Sequence, residues 1–477
     1  MLRHAGVGEN IQILAEKTDL TAASVAFKRQ KDRAIALRSE PIHARLDRLR
    51  KLETWIRNNR ELIKKAIHAD FRKPLLEVDT SEIYPVLTEI RHTVKHLEEW
   101  SRPRKIDATL AYIGTRSEIR YEPKGVCLII APWNFPFNLC VGPLVSCLAA
   151  GNTAMVKPSE MTPHTSALLK EMMAALYDQD LVTVVEGGVE TSQMLLTLPF
   201  DHIFFTGSPA VGKVVMKAAA ANLASVTLEL GGKSPTIIDE SANLPDAAKR
   251  IAFGKFINNG QTCIAPDYVM VHQSVKEQFV SLLKTEIQLL FNEGKPIDEQ
   301  SVHYARIVNA KHFQRLNGLL NDAVEQGAKP ETLGIANAST NFFPPVLLTH
   351  VPASARIMDE EIFGPILPVL TFANSEEVIE QVNRRPKPLA LYIFSSRKTF
   401  KEYILKNTSA GGVCINECIL QFTHPNLPFG GVNNSGIGKS HGFFGFLAFS
   451  NEKPILRQKS GWSGPYLLHP PYTQRMK

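Results

Sequence analysis

The sequence predicts an α/β fold made of two doubly wound parallel-sheet domains with a small β arm. From about residue 125 onwards, short apolar runs alternate with amphipathic helical segments, which is the pattern of parallel strands joined by crossover helices. A second series of the same alternation begins near Ser225. The chain has 477 residues, 44% of them hydrophobic, which is enough for two or three domains with large cores.

The region before the first sheet is predicted to be mainly helical. Residues 21–75 carry Leu and Ile at helical spacing among Arg, Lys and Glu, and residues 82–101 continue this pattern. Residues 108–121 instead alternate between apolar and polar side chains around Ile113 and Gly114. Such alternation about a glycine predicts a β-hairpin, which would form the small arm.

Two series of strands and helices follow, one for each predicted sheet. In the first series the expected strands are Val126–Ala131, Thr153–Lys157, Val182–Glu186 and His202–Thr206, and the expected helices are 138–150, 164–178, 191–197 and 209–221. In the second series the expected strands are Ser234–Ile238, Tyr268–His272, Val346–His350 and Pro368–Phe372, and the expected helices are 245–259, 274–291 and 375–384. The last fifty residues are rich in Gly, Pro and aromatic residues, which predicts a lid or an oligomer contact.

The stretch from Gly125 to Val156 has no charged residue and is long enough to span a bilayer. Its prolines and asparagines would leave backbone groups without hydrogen-bond partners in lipid, so we expect a buried strand, a loop and a core helix instead. The C-terminal sequence SGWSGPYLLHPPYTQRMK is too short and too polar to anchor a protein in a membrane. These features predict a soluble protein without a stable membrane anchor.

The charged residues and cysteines exclude several other classes. The net charge is +7, and the one basic cluster, Lys28–Arg38, is interleaved with apolar residues, which favours a solvated helix face over a nucleic-acid-binding patch. Cys414 and Cys418 are four residues apart, but no second pair of metal ligands lies close, so no metal is expected. Residues Met1–Lys17 carry no secretory signal, and the six cysteines suggest no disulfide framework, which indicates a cytoplasmic protein.

Three residues stand out as candidates for chemistry. Cys263 lies in the loop sequence NNGQTCIAP, where it could be a nucleophile or merely a small core residue. Glu229 is followed by two glycines at the end of an apolar run, and it could be a general base of raised pKa or a surface acid. Asn134 in APWNFPF could donate to an oxyanion or simply occupy a turn. Viewed singly, each of the three patterns leaves both interpretations open.

The sequence also suggests a site for a dinucleotide. The strand ending at Thr206 runs through Gly207 and Ser208 into a helix, and a helix N-terminus of this kind can bind a pyrophosphate. The usual GxGxxG pattern is absent, because Gly207 and Gly212 are five residues apart. At a second strand end, Lys157 could reach a ribose hydroxyl or a phosphate.

Seven segments, taken in order, resemble the aldehyde dehydrogenase superfamily and most closely its class 3 branch. They are PWNFP (132–136), KPSE (157–160), FTGS (205–208), LELGGK (228–233), NNGQTC (258–263), EIFGP (361–365) and LPFGG (427–431). Cys263 follows Glu229 by 34 positions, which matches the family spacing. One departure is Asn433, which stands where family members often have glycine, and asparagine tolerates a positive φ better than most residues.

The resemblance implies a role for each candidate. Cys263 would be the nucleophile that passes through a thiohemiacetal and a thioester, Glu229 the base, and Asn134 an oxyanion-hole donor together with the Cys263 backbone N–H. Lys157 and Glu160 would contact the adenosine ribose, where Glu160 would repel a 2′-phosphate. The implied cofactor-binding residues are Trp133, Lys157, Glu160, Gly207, Ser208, Gly212, Glu361 and Phe363.

The resemblance also implies domains, cofactor and partners. The NAD(P)-binding domain, a variant Rossmann fold, would comprise residues 1–107 and 122–228, and the catalytic domain residues 229–424. Residues 108–121 and 425–477 would form oligomerisation and bridging segments of a homodimer. The reaction implied is NAD-dependent, with NADP as a possible second cofactor, and converts an aromatic or a medium- or long-chain aliphatic aldehyde to its acid. The alternatives are a coenzyme A-acylating dehydrogenase and a catalytically silent protein on the same fold.

Overall fold

The computed structural model describes residues 22–109, 112, 114–461 and 469–470. Within these ranges the strands form three sheets of six, seven and three strands. The two larger sheets are mainly parallel, and helices connect their strands. The predicted α/β fold with two parallel sheets and a small β arm is therefore confirmed.

The first sheet has the strand order β15-β7-β6-β3-β4-β5. Its strands are β3 (Val126–Ile130), β4 (Thr153–Lys157), β5 (Val182–Val184), β6 (His202–Thr206), β7 (Ser225–Glu229) and β15 (Gly436–Ile437). Its helices are α6 (Asn138–Ala150), α7 (Pro163–Leu176), α8 (Val189–Leu195) and α9 (Pro209–Ala221). The pairings are parallel except that of β15 with β7. The sequence pattern predicted β3 to β6, whereas it missed β7 and β15.

The second sheet has the strand order β10-β11-β12-β9-β8-β13-β14. Its strands are β8 (Pro235–Ile238), β9 (Tyr268–His272), β10 (Lys329–Thr332), β11 (Val346–Thr349), β12 (Ile366–Phe372), β13 (Ala390–Phe394) and β14 (Gly412–Ile415). Its helices are α10 (Leu244–Phe256), α11 (Lys276–Asn292), α12 (Ala310–Glu325), α13 (Ser375–Asn383) and α14 (Lys398–Asn407). Only the pairing of β10 with β11 is antiparallel. The sequence pattern missed β10, β13 and β14.

The small arm differs from the hairpin that the sequence predicted. It contains β1 (Arg104–Ile106), β2 (Thr115–Pro123) and β16 (Ser450–Gln458), all antiparallel, with β2 in the middle. The first strand of the hairpin predicted at 108–121 was therefore wrong. The strands that pair with β2 are β1, which precedes this range, and β16, which lies near the C-terminus. Positions 110, 111 and 113, part of the predicted hairpin, lie outside the described residues.

From residue 22 onwards, five helices precede the first sheet and share its core. They are α1 (22–37), α2 (Ile42–Asn58), α3 (Arg60–Phe71), α4 (Leu75–Val78) and α5 (Tyr84–Trp100), and a π-helical turn at Asp79–Ile83 joins the last two. Leu49, Ile56 and Ile63 have no exposed surface and belong to one apolar cluster with Val141 and Leu144 of α6. Burying such a side chain contributes about 1.5–3 kcal/mol. The N-terminal helices are thereby fixed against the sheet that follows.

The charge-free stretch Gly125–Val156 forms β3, a loop, α6 and most of β4, as the sequence predicted. Across the described part of the chain, no helix combines the length and apolarity needed to cross a membrane. A short helix, α15 (Gly442–Ala448), packs near α6 and leads into the arm.

The parallel strands place one set of loops at a common edge. Ile130 of β3 is in register with Lys157 of β4 and Phe205 of β6, and Thr206 is in register with Glu229 of β7. Carboxyl ends of parallel strands are where open α/β sheets bind ligands. The loops that carry the candidate residues therefore start from neighbouring positions.

Candidate active site

The loop that carries Cys263 has an unusual backbone. A short 3-10 turn after α10 places three successive residues in the left-handed region, with φ of 53° at Asn258, 54° at Asn259 and 73° at Gly260. A Cβ atom on Gly260 would lie 2.3 Å from the carbonyl oxygen of Gly364. Only glycine fits there, because a substitution would meet backbone rather than a movable side chain.

Gln261 fixes the same loop from inside. Its Nε2 donates to the carbonyl oxygens of Asn258 at 2.9 Å and Arg306 at 3.0 Å, and its Oε1 accepts from the Val308 N–H at 3.0 Å. All its polar capacity is thus used on backbone groups, which a fully buried amide requires. The chain just before Cys263 is consequently held in one conformation.

Asn134 connects the loop after β3 to the loop of Cys263. Its Nδ2 donates to the Gln261 carbonyl oxygen at 3.0 Å. Its own carbonyl oxygen accepts from Lys73 Nζ at 3.2 Å and from Asn258 Nδ2 at 2.8 Å. The side chain is buried but lines a cavity that also contains Cys263. Asn134 is therefore a rigid amide beside the candidate nucleophile.

Glu229 ends β7 and is almost fully buried. Its Oε1 accepts from Ser440 Oγ at 3.0 Å, while its Oε2 has no hydrogen-bond partner within the described ranges. Burial raises the pKa of this carboxyl to about 8, although the Ser440 hydrogen bond and the charge of Lys439 oppose the rise. A carboxyl with one free oxygen and a pKa near neutrality is suited to act as a general base.

The Cys263 thiol has a raised pKa. Burial raises it to about 12, and the negative charges of Glu361 and Glu229 act in the same direction. The pKa of Glu361 is itself raised to about 8 by burial and then by the charge of Asp267. Cys263, Glu229 and Glu361 all line one cavity.

Cys263 lies in the walls of two cavities. The first, called here the Ser208 cavity, has a volume of about 450 Å³ and is lined by Trp133, Asn134, Ser208, Glu229, Glu361 and Phe363, among others. The second, called here the Phe253 cavity, has a volume of about 410 Å³ and is lined mainly by apolar residues such as Tyr84, Phe135, Phe253, Ile419 and Phe422. Cys263 lines both, so two different ligands could approach one sulfur.

The Ser208 cavity has features that fit a dinucleotide. Ser208 caps α9 by accepting from the Val211 N–H at 3.4 Å, and the first turn of that helix borders the cavity. A Cβ atom on Gly207 would come within 2.5 Å of the Phe205 ring, so the chain passes close to its own strand there. Thr206 Oγ1, also in the wall, is buried without a partner in the described structure. A helix N-terminus beside an unpaired hydroxyl suits an anionic, polar ligand.

Two aromatic rings form the far wall of the Ser208 cavity. The ring centroids of Trp133 and Phe363 are 5.3 Å apart in an edge-on arrangement. The backbone of Phe363 has a φ of 48°, which is rare for a bulky residue and is held by the surrounding loop. A Cβ atom on Gly231 would lie 2.2 Å from the Glu361 carboxylate, so this carboxylate needs glycine beside it.

Three of the candidate cofactor residues lie outside the walls of this cavity. Lys157 ends β4 and its Nζ is 2.9 Å from Glu160 Oε2, so the two form an ion pair at the same sheet edge. Gly212 lies inside α9, where a Cβ atom would come within 2.7 Å of Leu230. Gly212 therefore allows the helix to pack closely against Leu230. The cofactor contacts of Lys157, Glu160 and Gly212 stay predictions.

Sequence reasoning missed several residues of the site. Ser440 contacts Glu229 across 211 positions of the chain, and no local pattern marked it. Lys73 reaches Asn134 from the helical N-terminal region, which the motifs did not include. Gln261, in contrast, stood inside the NNGQTC motif, and a polar residue flanked by a glycine and a candidate nucleophile was a usable signal.

No group of three or more His, Cys, Asp or Glu residues suited to a metal occurs in the part of the chain that the structure describes. Cys414 and Cys418 do not form a site of their own. Cys414 Sγ lies 2.9 Å from Gln421 Oε1, and Cys418 is buried in the core of the second sheet.

Comparison with known proteins decides the family. Residues 9–455 match the model of the aldehyde dehydrogenase family. The chain belongs to the aldehyde dehydrogenase family. It is 45% identical to the putative aldehyde dehydrogenase AldX of Bacillus subtilis (strain 168). The match extends over 433 residues, which are 91% of this chain and 97% of the relative. It is also 42% identical to aldehyde dehydrogenase family 3 member A2 of Rattus norvegicus, over 92% of this chain and 89% of the relative.

The solved structures agree with this aldehyde dehydrogenase assignment. A substrate-bound AldH of Staphylococcus aureus superposes with a TM-score of 0.90 at 41% identity, over 95% of this chain and 98% of that chain. The predicted class 3-like resemblance is confirmed. The chain is an NAD(P)-dependent oxidoreductase that oxidises aldehydes, and these relatives favour neither the acylating nor the silent alternative.

Proposed function

We propose that this aldehyde dehydrogenase works through a thioester on Cys263. The single observation that carries the proposal is the position of this thiol, which lines both the Ser208 cavity and the Phe253 cavity. The sulfur would add to the aldehyde carbonyl to give a thiohemiacetal, and loss of hydride from the same carbon would leave the thioester. The Asn134 Nδ2 and the Cys263 backbone N–H would donate to the oxyanion.

The Ser208 cavity would hold the nicotinamide cofactor. Ser208 and Gly207 would face the pyrophosphate, Glu361 the nicotinamide ribose, and Trp133 and Phe363 the ring. The bound cofactor would supply the hydride acceptor, a nicotinamide ring that itself carries one positive charge. A positive charge lowers the pKa of a thiol, which would offset the rise caused by burial and by the two carboxylates.

Lys157 and Glu160 would contact the adenosine ribose. A carboxylate there would repel a 2′-phosphate, so we expect NAD to be used better than NADP. The expected preference is modest, because Glu160 is 41% exposed and already paired with Lys157.

Glu229 would direct the water that releases the acid. Its Oε1 is held by Ser440, its Oε2 has no hydrogen-bond partner among the described residues, and Glu229 lines the Ser208 cavity together with Cys263. A carboxylate in this position would take a proton from water as the oxygen attacks the thioester carbon. The thiolate of Cys263 would then leave and be ready for the next aldehyde.

The pKa of Glu229 predicts a pH dependence for this last step. A base acts only when ionised, and with a pKa raised to about 8 only about one tenth of Glu229 is ionised at pH 7. Steady-state turnover is therefore expected to rise with pH, to reach half its maximum near pH 8 and to level off above about pH 9. The measurement is kcat between pH 6 and 9.5 with saturating aldehyde. A flat profile, or a profile that survives in Glu229→Gln, would argue against this role.

The Phe253 cavity would take the organic part of the aldehyde. Its walls are apolar and aromatic, which favours aromatic and medium- or long-chain aliphatic substrates. Burial of one methylene contributes about 0.8 kcal/mol, so kcat/KM is expected to rise by roughly fourfold per methylene until the cavity is full. A panel of straight-chain and aromatic aldehydes with NAD and with NADP measures this, and a preference for charged or two-carbon aldehydes would contradict it.

A matched pair of variants locates that preference. Leu420 lines the Phe253 cavity and is 53% exposed, whereas Leu427 is 45% exposed and is not among the cavity walls. Leu420→Asp is expected to lower kcat/KM for long aldehydes more than for short ones. Leu427→Asp should leave the chain-length dependence as it was.

We also propose a cytoplasmic homodimer. Among the described residues, the outer strands of the arm, β1 and β16, each pair on one side only, and Ile106 and Leu456 on them are 41% and 55% exposed. Such edges can pair with a second chain. The arm and the C-terminal segment would then bridge two subunits. Residues 1–107 and 122–228 would form the cofactor-binding domain of each subunit, and residues 229–424 its catalytic domain. Light scattering would contradict the dimer if it measured the mass of one chain.

The cytoplasmic setting is supported by the cysteines. All six are free, including the buried neighbours Cys127 and Cys147. Unpaired thiols persist where the compartment is reducing.

A further inference from the structure

A buried ion pair lies behind the wall of the active site. Lys73 and Glu82 both have side chains that are 0% exposed, and Lys73 Nζ is 2.6 Å from Glu82 Oε1. Taking two charges out of water costs about as much as their attraction returns, and apolar residues of similar size are often at least as stable. Stability alone therefore does not account for the pair.

Each partner makes a further contact with the segment that carries Asn134. Lys73 Nζ donates to the Asn134 carbonyl oxygen at 3.2 Å and lies 4.0 Å from the centroid of the Phe135 ring. Glu82 Oε2 accepts from the N–H of Asn138, the first residue of α6, at 2.9 Å. The pair thus holds this segment at both of its ends.

A second carboxylate of the same region reaches the loop of Cys263. Glu77 Oε1 accepts from the Asn258 N–H at 2.9 Å. Asn258 Nδ2 donates to the carbonyl oxygens of Asn134 at 2.8 Å and Gln261 at 3.1 Å. Since the Gln261 carbonyl oxygen also accepts from Asn134 Nδ2, the two loops are locked together around one amide.

We propose that Lys73 and Glu82 are positioning residues that orient the Asn134 amide toward the substrate oxyanion. This inference rests on the proposed function, in which Asn134 donates that hydrogen bond. Neither residue lines the described cavities around Cys263, so they act through Asn134 and not on the substrate. An oxyanion donor works only when it is already in place, so a small displacement of the Asn134 segment lowers the rate of acylation.

The first test compares Lys73→Met and Glu82→Gln with the parent enzyme. The expected result is a pre-steady-state burst of NADH that is slower by about 10- to 100-fold, with the dissociation constant for NAD, from a fluorescence titration, unchanged within about twofold. Arg50→Met is the control, because it removes an exposed ion pair with Asp47 in the same helical region. A parental burst rate in both test variants would overturn the proposal.

A double-mutant cycle separates positioning from general loosening. If Lys73 acts through Asn134, adding Lys73→Met to Asn134→Ala should slow the burst by less than about twofold more. Effects that multiply independently would overturn the positioning role. A parental burst in Asn134→Ala alone would instead refute the proposed oxyanion donor, so the two failures are distinguishable.

A third variant keeps the test valid if a lone buried charge prevents folding. Lys73→Met combined with Glu82→Leu replaces the ion pair by apolar side chains, so neither member of the pair is left as a lone buried charge. This protein is expected to melt within about 5 °C of the parent and still to show the slow burst. Recovery of the parental burst rate would mean that the pair only fills space, and would overturn the inference.

Discussion

Replacing Cys263 by alanine is expected to abolish NADH formation, with kcat/KM reduced by at least about 10⁴-fold. No other sulfur of the described chain lines the Ser208 or the Phe253 cavity. Without this thiol the aldehyde has no nucleophile, so no tetrahedral carbon forms from which hydride can leave. The measurement is NADH absorbance with a saturating aromatic aldehyde. Retained turnover would refute the assignment of Cys263.

Cys414→Ala is the matched control for that experiment. Cys414 of β14 is also partly accessible, but its Sγ contacts Gln421 Oε1 and lies outside the walls of the Ser208 and Phe253 cavities. The activity of the Cys414→Ala variant is expected to remain within about threefold of that of the parent enzyme. Binding of NAD to Cys263→Ala, measured by fluorescence, should also persist, because the thiol is only one part of the cavity wall.

Glu229→Gln is expected to retain a burst of NADH and to lose steady-state turnover by about 10²- to 10⁴-fold. The amide has nearly the shape of the carboxyl but cannot take a proton from water, so the thioester on Cys263 accumulates. The burst itself should survive, because the charge of Glu229 raises the pKa of the Cys263 thiol and the variant removes that charge.

The control for this variant is an ordinary carboxylate. Glu331 is 44% exposed, pairs with Lys284 and lines neither the Ser208 nor the Phe253 cavity, and Glu331→Gln should show parental turnover. A full steady-state rate in Glu229→Gln would remove Glu229 as the deacylation base. Loss of both the burst and the steady-state rate would instead show that Glu229 is also needed to form the thioester.

Local sequence patterns predicted much of the fold because apolar runs and helix signals are local. β4, β6 and β9 and the helices α6 and α9 occupy the predicted residues. Asn433 takes a φ of 55°, as its tolerance for the left-handed region suggested, and its Oδ1 accepts from Lys387 Nζ at 2.9 Å.

What the sequence did not predict depends on partners that are distant in the chain. The second series of strands and helices was expected to begin near Ser225, but the register of β7 with β6 places Ser225–Glu229 in the first sheet. β14 has exposed apolar residues at Val413 and Ile415, so it lacks the burial pattern of an inner strand. In both cases tertiary pairing, and not local propensity, decides the sheet.

In the candidate site, too, the sequence predicted some residues and not others. Cys263, Glu229 and Asn134 stood in motifs whose order and spacing were visible in the sequence. The contacts that support them did not: Ser440 and Lys73 reach the site from opposite ends of the chain. Such contacts are long-range hydrogen bonds between single residues, and neither periodicity nor composition records them.

The thioester on Cys263 is the central intermediate of the proposed reaction, and mass spectrometry tests for it directly. Glu229→Gln is mixed with NAD and a long-chain aldehyde, quenched in acid and digested. The peptide containing Cys263 is expected to gain the mass of one acyl group, and hydroxylamine should remove it. An unmodified Cys263 peptide after a complete burst, or the acyl group on another residue, would contradict a thioester on Cys263.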